Sequence, residues 1–81
     1  MDDEILLLSW TQLAAILMLD PENDDYAIAQ QEIAYKLEDQ FHIEQIQLLS
    51  CSFDGYTITY VQDRESKITT FTLDEVEELF S

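Results

Sequence analysis

The hydrophobic pattern of the chain changes from a helical to a strand period directly after Phe41. Up to that point apolar side chains recur every three or four residues, as on one face of an α-helix. From Ile43 to Thr72 they follow the two-residue period of β-strands, and a short helical pattern closes the sequence. Because 81 residues are too few for two hydrophobic cores, we predict a single domain over residues 1–81. Its class is α+β, with elements in the order α-α-β-β-β-α.

The first predicted helix has signals at both of its ends. Ser9 and Gln12 match a capping box, in which two side chains satisfy free backbone N–H groups at a helix start. At the other end Pro21 cannot donate a backbone hydrogen bond and restricts Asp20 before it, so we expect the helix to stop there. Residues 2–8 fit either a strand or an early turn of helix.

A second helix is predicted to begin at Asn23 or Asp24, both favourable N-cap residues, and to end near Phe41. Acidic side chains in its first turn face the positive end of the helix dipole. The two helices together form a helical hairpin. The inward stripe of the second helix consists of residues three or four positions apart: Tyr26, Ala29, Ile33, Leu37 and Phe41.

Three strands are predicted to form an antiparallel meander. The first covers residues 43–51, and Asp54-Gly55 predicts a two-residue hairpin turn with positive φ at both positions. The second strand, residues 56–62, alternates Tyr or Ile on one face with Thr or Val on the other. A polar turn at residues 63–66 leads to the third strand, residues 67–72.

A short C-terminal helix is predicted by a second capping-box match, Thr72 with Glu75. We expect this helix and the helical hairpin to pack on the three-stranded antiparallel meander, because each element has one apolar side to bury. The apolar side of the C-terminal helix consists of Leu73, Val76, Leu79 and Phe80.

The chain is strongly acidic, with 18 Asp and Glu residues against three Lys and Arg, a formal net charge of −15. A hydrophobic content of 47% excludes a disordered acidic tail. Repulsion opposes direct binding to nucleic acid and to anionic membranes. The lone Cys51 cannot form an internal disulfide, and the apolar stretch at residues 5–19 falls short of the ~20 residues that span a bilayer. We therefore expect a soluble, cytoplasmic protein.

Candidate catalytic and metal-binding residues are few. Asp20 begins the alternating spacing of a calcium-binding EF-hand loop, but Asp25 stands at the glycine position and Gln31 at the closing glutamate position. His42 and Cys51 are the only soft ligands, and no zinc spacing joins them. His42 fits a helix C-terminus better than a catalytic base, and Cys51 fits a packed strand residue. We expect no enzymatic activity, no metal site and no cofactor.

The placement of the acidic residues is the best guide to function. They cluster at loops and helix ends, and Asp74 and Glu78 stand four residues apart, a spacing at which like charges destabilise a helix. This repulsion favours a partner protein with a basic nucleic-acid-binding groove, since fifteen charges correspond to roughly 25 Å of duplex at ~1.7 Å per charge. The predicted partner-binding residues are Glu22, Asp24, Asp25, Asp74, Glu75, Glu77 and Glu78.

In size, acidity and mixed α/β composition the chain resembles the small phage-encoded inhibitors of bacterial defence, which include anti-CRISPR and anti-restriction proteins. Several members of these groups are DNA mimics. The resemblance covers the whole chain in bulk properties and no motif supports it, so no family residues are carried over. It implies an inhibitor that occupies the nucleic-acid-binding groove of its target.

Two other interpretations remain open. The acidic surface can serve solubility alone, as in many small proteins. Alternatively, the chain is an antitoxin-like or adapter module that binds a basic or hydrophobic partner through an exposed apolar patch. Residues 5–8, or Leu79 and Phe80, are the candidates for such a patch. The small core expected for 81 residues is also compatible with a homodimer.

Overall fold

The computed structural model describes residues 3–78 of the chain and confirms the predicted α+β fold and order of elements. Within these residues two long helices come first, and the strands that follow form one antiparallel sheet in the order β1-β2-β3. The predicted apolar residues Leu79 and Phe80 lie outside the described residues. The elements are α1 (Asp3–Leu19), α2 (Asp24–Phe41), β1 (Ile43–Ser52), β2 (Gly55–Gln62), β3 (Glu65–Phe71) and α3 (Leu73–Glu77).

Helix α1 begins before the predicted capping box, and of the two alternatives left open for residues 2–8 the described residues 3–8 are helical and not a strand. Its first residue is Asp3, so the predicted capping box of Ser9 and Gln12 is wrong, and both residues lie inside the helix. The physical reason is burial, because the early start places Leu6 and Leu7 in the hydrophobic core. α1 is buried on several sides, as predicted, since it contacts α2 and α3 and its apolar side chains join those of the sheet.

Helix α2 has a defined start and a defined end. Asn23 is its N-cap, and the side-chain Oδ1 accepts a hydrogen bond of 3.2 Å from the backbone N–H of Tyr26. His42 closes the helix in the left-handed conformation, with φ of 58°, and its backbone N–H donates to the carbonyl oxygen of Glu38. The predicted inward stripe is confirmed at Leu37, which is fully buried. It is wrong at Tyr26, which is exposed because the core does not reach the first turn of α2.

The sheet turns one face, the inner face, toward the helices. The alternation predicted for β2 is confirmed, since Tyr56, Ile58 and Tyr60 are buried in a cluster that includes residues of α1 and α2. The antiparallel register places Phe71 of β3 opposite Tyr56 and Leu48 of β1 opposite Ile58, so these side chains share the inner face. The Thr and Val residues between them face the other side, the outer face, and are half-buried.

The first hairpin turn differs from the prediction. Ser52 pairs with Gly55, so the turn consists of Phe53 and Asp54, and neither of these has a positive φ. The predicted Asp54-Gly55 turn is therefore wrong, and Gly55 is instead the first residue of β2. The glycine is needed in the strand, because a side chain there would overlap the backbone carbonyl oxygen of Phe71.

The second hairpin has the backbone conformation that was expected of the first. Gln62 pairs with Glu65, and the two residues between them, Asp63 and Arg64, have φ of 52° and 71°. Two consecutive positive φ values are typical of a type I′ turn, whose twist matches that of the flanking strands. The strand pairing therefore imposes this turn on two residues without a glycine.

Helix α3 is held at its start and along its side. The predicted capping box is confirmed, since Thr72 Oγ1 accepts from the N–H of Glu75 and the Glu75 carboxylate accepts from the N–H of Thr72, both at 3.2 Å. Val76 points inward and is fully buried. The side-chain amide of Gln12 in α1 donates to the backbone carbonyl of Glu75 at 3.1 Å. These contacts fix α3 against the middle of α1.

Candidate partner-binding surface

The charge of the described residues is unequally divided between helices and sheet. The helical part, residues 3–42 and 72–78, contains 13 Asp and Glu residues and one cation, Lys36, a formal charge of −12. The sheet part, residues 43–71, contains four acids and two cations, a formal charge of −2. All 13 acids of the helical part except Asp3 are exposed. The helical part is therefore the main negative surface of the molecule.

The first predicted cluster lies in the connection between α1 and α2. Glu22, Asp24 and Asp25 are all exposed. Asp24 and Asp25 occupy the first turn of α2, where the helix dipole stabilises negative charge. The loop itself is ordered by Asn23, whose side-chain amide donates to Oδ2 of Asp20 at 3.1 Å. The backbone thus holds these carboxylates at a fixed helix start.

The second predicted cluster lies on α3, where Asp74, Glu75, Glu77 and Glu78 are exposed. Glu75 differs from the others because its carboxylate completes the capping box and also accepts a hydrogen bond of 3.0 Å from Oγ1 of Thr72. Its first role is therefore to start the helix. Asp74, Glu77 and Glu78 remain as the candidates for partner contact.

Both predicted clusters lie beside α1, but they are at different positions along it. α3 is bound to α1 at Gln12, whereas the loop cluster follows the end of α1 at Leu19. Seven residues of helix separate these points, about 10 Å at 1.5 Å per residue. The two clusters are therefore separate patches of one negative surface.

A third group of exposed acids lies along the outer side of α2, and of this group the sequence prediction included only Asp25. Two residues of helix correspond to roughly 200° of rotation, so Tyr35 lies on the opposite side of α2 from the buried Leu37. Residues three or four positions apart on this outer side form a line that we name the α2 ridge: Asp25, Ile28, Glu32, Tyr35 and Asp39, all exposed. The alternating three- and four-residue spacing of these residues is the sequence signal from which the ridge could have been predicted.

Two open clefts adjoin the C-terminal end of α2. One, of about 420 Å³, is lined by Tyr35, Glu38, Asp39 and His42. The other, of about 350 Å³, shares Glu38 and His42 and extends to residues of β1 and of the second hairpin turn. Both clefts place carboxylates around the exposed imidazole of His42, and the left-handed cap at His42 directs the chain from α2 into β1.

The lone cysteine faces a tyrosine across two strands. Cys51 pairs with Tyr56 in the β1–β2 register but is exposed, so the expectation of a packed residue is wrong, because Cys51 lies near the end of the edge strand β1 and outside the core. Burial raises the pKa of Tyr56, and the hydrogen bond it shares with Cys51 and its electrostatic interactions with Cys51 and Glu77 raise it further. Neither residue lines either of the clefts described above.

The outer face of the sheet contrasts with the helical part. Among the paired residues that face outward, Glu44 is the only charged one. Ile68 is 67% exposed there, and hydroxyl groups of Thr57 and Thr70 lie 3.0 Å apart in a cross-strand hydrogen bond. The proposed apolar patch at residues 5–8, by contrast, is largely internal, since only its first side chain is exposed while the next two are buried.

The part of the chain that the structure describes contains no group of three or more His, Cys, Asp or Glu side chains placed to hold a metal ion. None of the helices in that part is both long and apolar enough to cross a membrane. Comparison of the chain with protein-family models, with curated proteins and with solved structures found no match.

Proposed function

We propose that the protein is a non-enzymatic inhibitor that occupies the basic groove of a nucleic-acid-binding protein by mimicking the phosphate charge of DNA. The observation that supports this most is the formal charge of −12 on the helical part, against −2 on the sheet part. Twelve charges correspond to about 20 Å of duplex at ~1.7 Å per charge. Helix α2 alone has 18 residues and is therefore about 27 Å long at 1.5 Å per residue, so the helical part is as long as such a segment.

Solubility accounts for the amount of charge but not for its distribution. A surface that only prevents association benefits from charges spread over every exposed area. The outer face of the sheet is exposed and rich in β-branched side chains, yet Glu44 is the only carboxylate among its paired residues. The segregation of charge to the helical part therefore supports a specific partner.

Most carboxylates of the helical part lack a counter-charge within the described residues. Within residues 3–78, and leaving Glu78 aside, none of them forms an ion pair with a lysine or arginine of the chain. Basic side chains of a groove would supply the missing counter-charges. This mode of action is similar to that of anti-CRISPR-like and anti-restriction-like DNA mimics, and an inhibitor of this kind acts in the cytoplasm on a partner protein.

Charge-removing substitutions test the proposal. Asp74→Asn, Glu77→Gln and Glu78→Gln are combined in one variant, and Glu22→Gln, Asp24→Asn and Asp25→Asn in another. Glu75 is kept in both variants because its carboxylate belongs to the capping box. Each variant is compared with the wild type for its affinity toward nucleic-acid-binding proteins captured from a bacterial lysate and identified by mass spectrometry.

The matched control removes the same three charges from the sheet part, by Glu44→Gln, Asp54→Asn and Glu65→Gln. We expect each helical variant to bind about tenfold more weakly, since three exposed charge contacts contribute roughly 1.5 kcal/mol together. Raising the salt concentration should weaken the wild type further, because exposed charges are screened. Equal affinity of the helical variants, the control and the wild type would argue against mimicry.

The adapter interpretation is favoured by one specific observation, the nearly uncharged outer face of the sheet. Ile68, at 67% exposure, and the half-buried Val61 provide apolar contact area there. A module that binds through this face, or forms a homodimer through it, loses its partner when Ile68 is replaced by Lys. A DNA mimic that binds through its helical part keeps its partner after the same substitution.

A further inference from the structure

Large exposed apolar side chains stand within the line of carboxylates that forms the α2 ridge. Ile28 is 54% and Tyr35 is 66% exposed, and carboxylates precede and follow each of them along the ridge. Single exposed apolar residues are common on protein surfaces, whereas two on one line of a helix, about two turns apart, can both contact the same partner. In the helix-in-groove mode of recognition, such a line of residues carries the contacts.

The cleft beside Tyr35 has the chemistry of a cation site. Its lining combines the Tyr35 ring with the carboxylates of Glu38 and Asp39. A guanidinium or ammonium group is attracted to the face of an aromatic ring, and carboxylates accept its N–H hydrogen bonds. At about 420 Å³ and open to solvent, the cleft has room for one arginine or lysine side chain.

We infer that the α2 ridge is the element that enters the partner's basic groove, and that the cleft beside Tyr35 receives an arginine or lysine side chain of that partner. This inference rests on the proposed function and adds to it a contacting helix and a recognised residue type. It differs from the sequence-based assignment, in which Asp25 is the only residue of the ridge.

The carboxylates of the ridge are regularly spaced along α2. Asp25, Glu32 and Asp39 follow one another every seven residues, about 10 Å at 1.5 Å per residue. A basic groove that binds a phosphate backbone offers cations along its length, so it can contact all three of these carboxylates.

Charge decides between a basic protein and the other possible occupants of the ridge. A second copy of the chain would bring the same carboxylates against each other, with Lys36 the only cation of either helical part. Nucleic acid and anionic membranes are repelled by the same charges. A basic protein surface with apolar contacts between its cations complements both components of the ridge.

The test uses the full chain labelled with ¹⁵N and a nonaarginine peptide as the probe. Amide chemical-shift changes are followed while the peptide is added. We expect the largest changes in residues 25–42, with a maximum around Tyr35, Asp39 and His42. Changes centred on the 20–25 loop before α2, centred on α3, or spread evenly over the helical part would overturn the inference.

A pair of substitutions distinguishes the contribution of the aromatic ring to binding from the contribution of net charge. Tyr35→Ala should raise the dissociation constant of nonaarginine about fivefold, because the cation loses its ring partner. Phe53→Ala removes another exposed aromatic ring, 87% exposed in the first hairpin turn, and should leave the constant unchanged. Equal effects of the two substitutions would show that the ring at position 35 has no special role.

A second pair of variants separates the ridge from general acidity. Glu32→Gln with Asp39→Asn removes two ridge charges, and Asp54→Asn with Glu65→Gln removes two charges from the sheet part. Only the first variant should reduce nonaarginine binding more than about threefold. If the ridge variant matches the control while the α3 variant still weakens capture of nucleic-acid-binding proteins, the ridge inference fails and mimicry stands. If duplex DNA does not release the captured proteins, the proposed mimicry is itself contradicted.

Discussion

A methyl group on Gly55 would overlap the backbone carbonyl oxygen of Phe71, because the start of β2 lies against the end of β3. Gly55 also has φ of 143°, a conformation that residues with side chains rarely adopt. The only glycine of the chain is thus required at this position for two independent reasons.

Gly55→Ala should lower the free energy of unfolding by about 2–3 kcal/mol, since it adds both a steric overlap and backbone strain. Urea denaturation followed by circular dichroism measures this change. Ser50→Ala, on an exposed residue of the neighbouring strand, serves as the control and should stay within about 0.5 kcal/mol of the wild type. A similar small effect for both substitutions would contradict the close approach of Gly55 and Phe71.

The second hairpin turn offers a stabilising substitution. Asp63 and Arg64 both have positive φ, which costs a residue with a side chain roughly 1 kcal/mol. Asp63→Asn combined with Arg64→Gly installs the residues that favour a type I′ turn and should raise the free energy of unfolding by about 1 kcal/mol. The same Asn-Gly pair placed at Phe53 and Asp54 should give no gain, because φ is not positive there. Equal gains at both turns would contradict the assigned conformations.

The capping box of α3 predicts different effects for its two members. Thr72→Ala removes the side-chain acceptor for the Glu75 N–H and should lower the free energy of unfolding by about 1 kcal/mol. Glu75→Gln keeps an oxygen that accepts from the Thr72 N–H, so it should cost less than about 0.5 kcal/mol. Thermal and urea denaturation measure both values. A larger loss for Glu75→Gln would mean that its charge, and not the hydrogen bond, holds the helix.

Tyr56 predicts how stability depends on pH under alkaline conditions. Because burial and then Cys51 and Glu77 raise its pKa in the folded state, the phenol is protonated in both states below the unfolded value of about 10. Above that pH the unfolded chain releases the proton first, so stability falls until the folded pKa is passed. Tyr56→Phe should make the free energy of unfolding less dependent on pH in this range. Identical pH profiles for variant and wild type would contradict the raised pKa.

Local sequence signals predict much of the fold. The N-cap at Asn23, the capping box of Thr72 with Glu75 and the alternation of β2 are each determined by neighbouring residues, and all three are confirmed. The start of α1 is missed because the Ser9–Gln12 pair imitates a helix start, while the true start depends on burying residues 6 and 7 in a core formed by distant elements.

The two hairpin turns show the same limit of prediction from neighbouring residues. Asp54-Gly55 is the strongest local turn signal, but the glycine is used for its close approach to Phe71, which is 16 positions later in the chain. Asp63 and Arg64 carry no glycine signal, and the β2–β3 register imposes their conformation. Contacts between distant parts of the chain override local preference in both hairpins.

The candidate site is only partly predictable from the sequence. Acidic clusters are visible in the chain, but their separation along α1 depends on where Gln12 binds α3. The sequence also does not distinguish Glu75, which completes a cap, from Asp74, which does not. The α2 ridge becomes evident only once the buried side of α2 is known, because the outer side is then defined as its opposite.

Displacement by duplex DNA tests the proposed mimicry most directly. The immobilised protein is loaded with nucleic-acid-binding proteins from a bacterial lysate, and a short duplex is added at increasing concentration. We predict that the duplex releases the captured proteins in proportion to its concentration, and that the Asp74→Asn, Glu77→Gln, Glu78→Gln variant retains fewer of them from the start. Proteins that stay bound at saturating duplex, and that bind the variant equally well, would contradict the proposal.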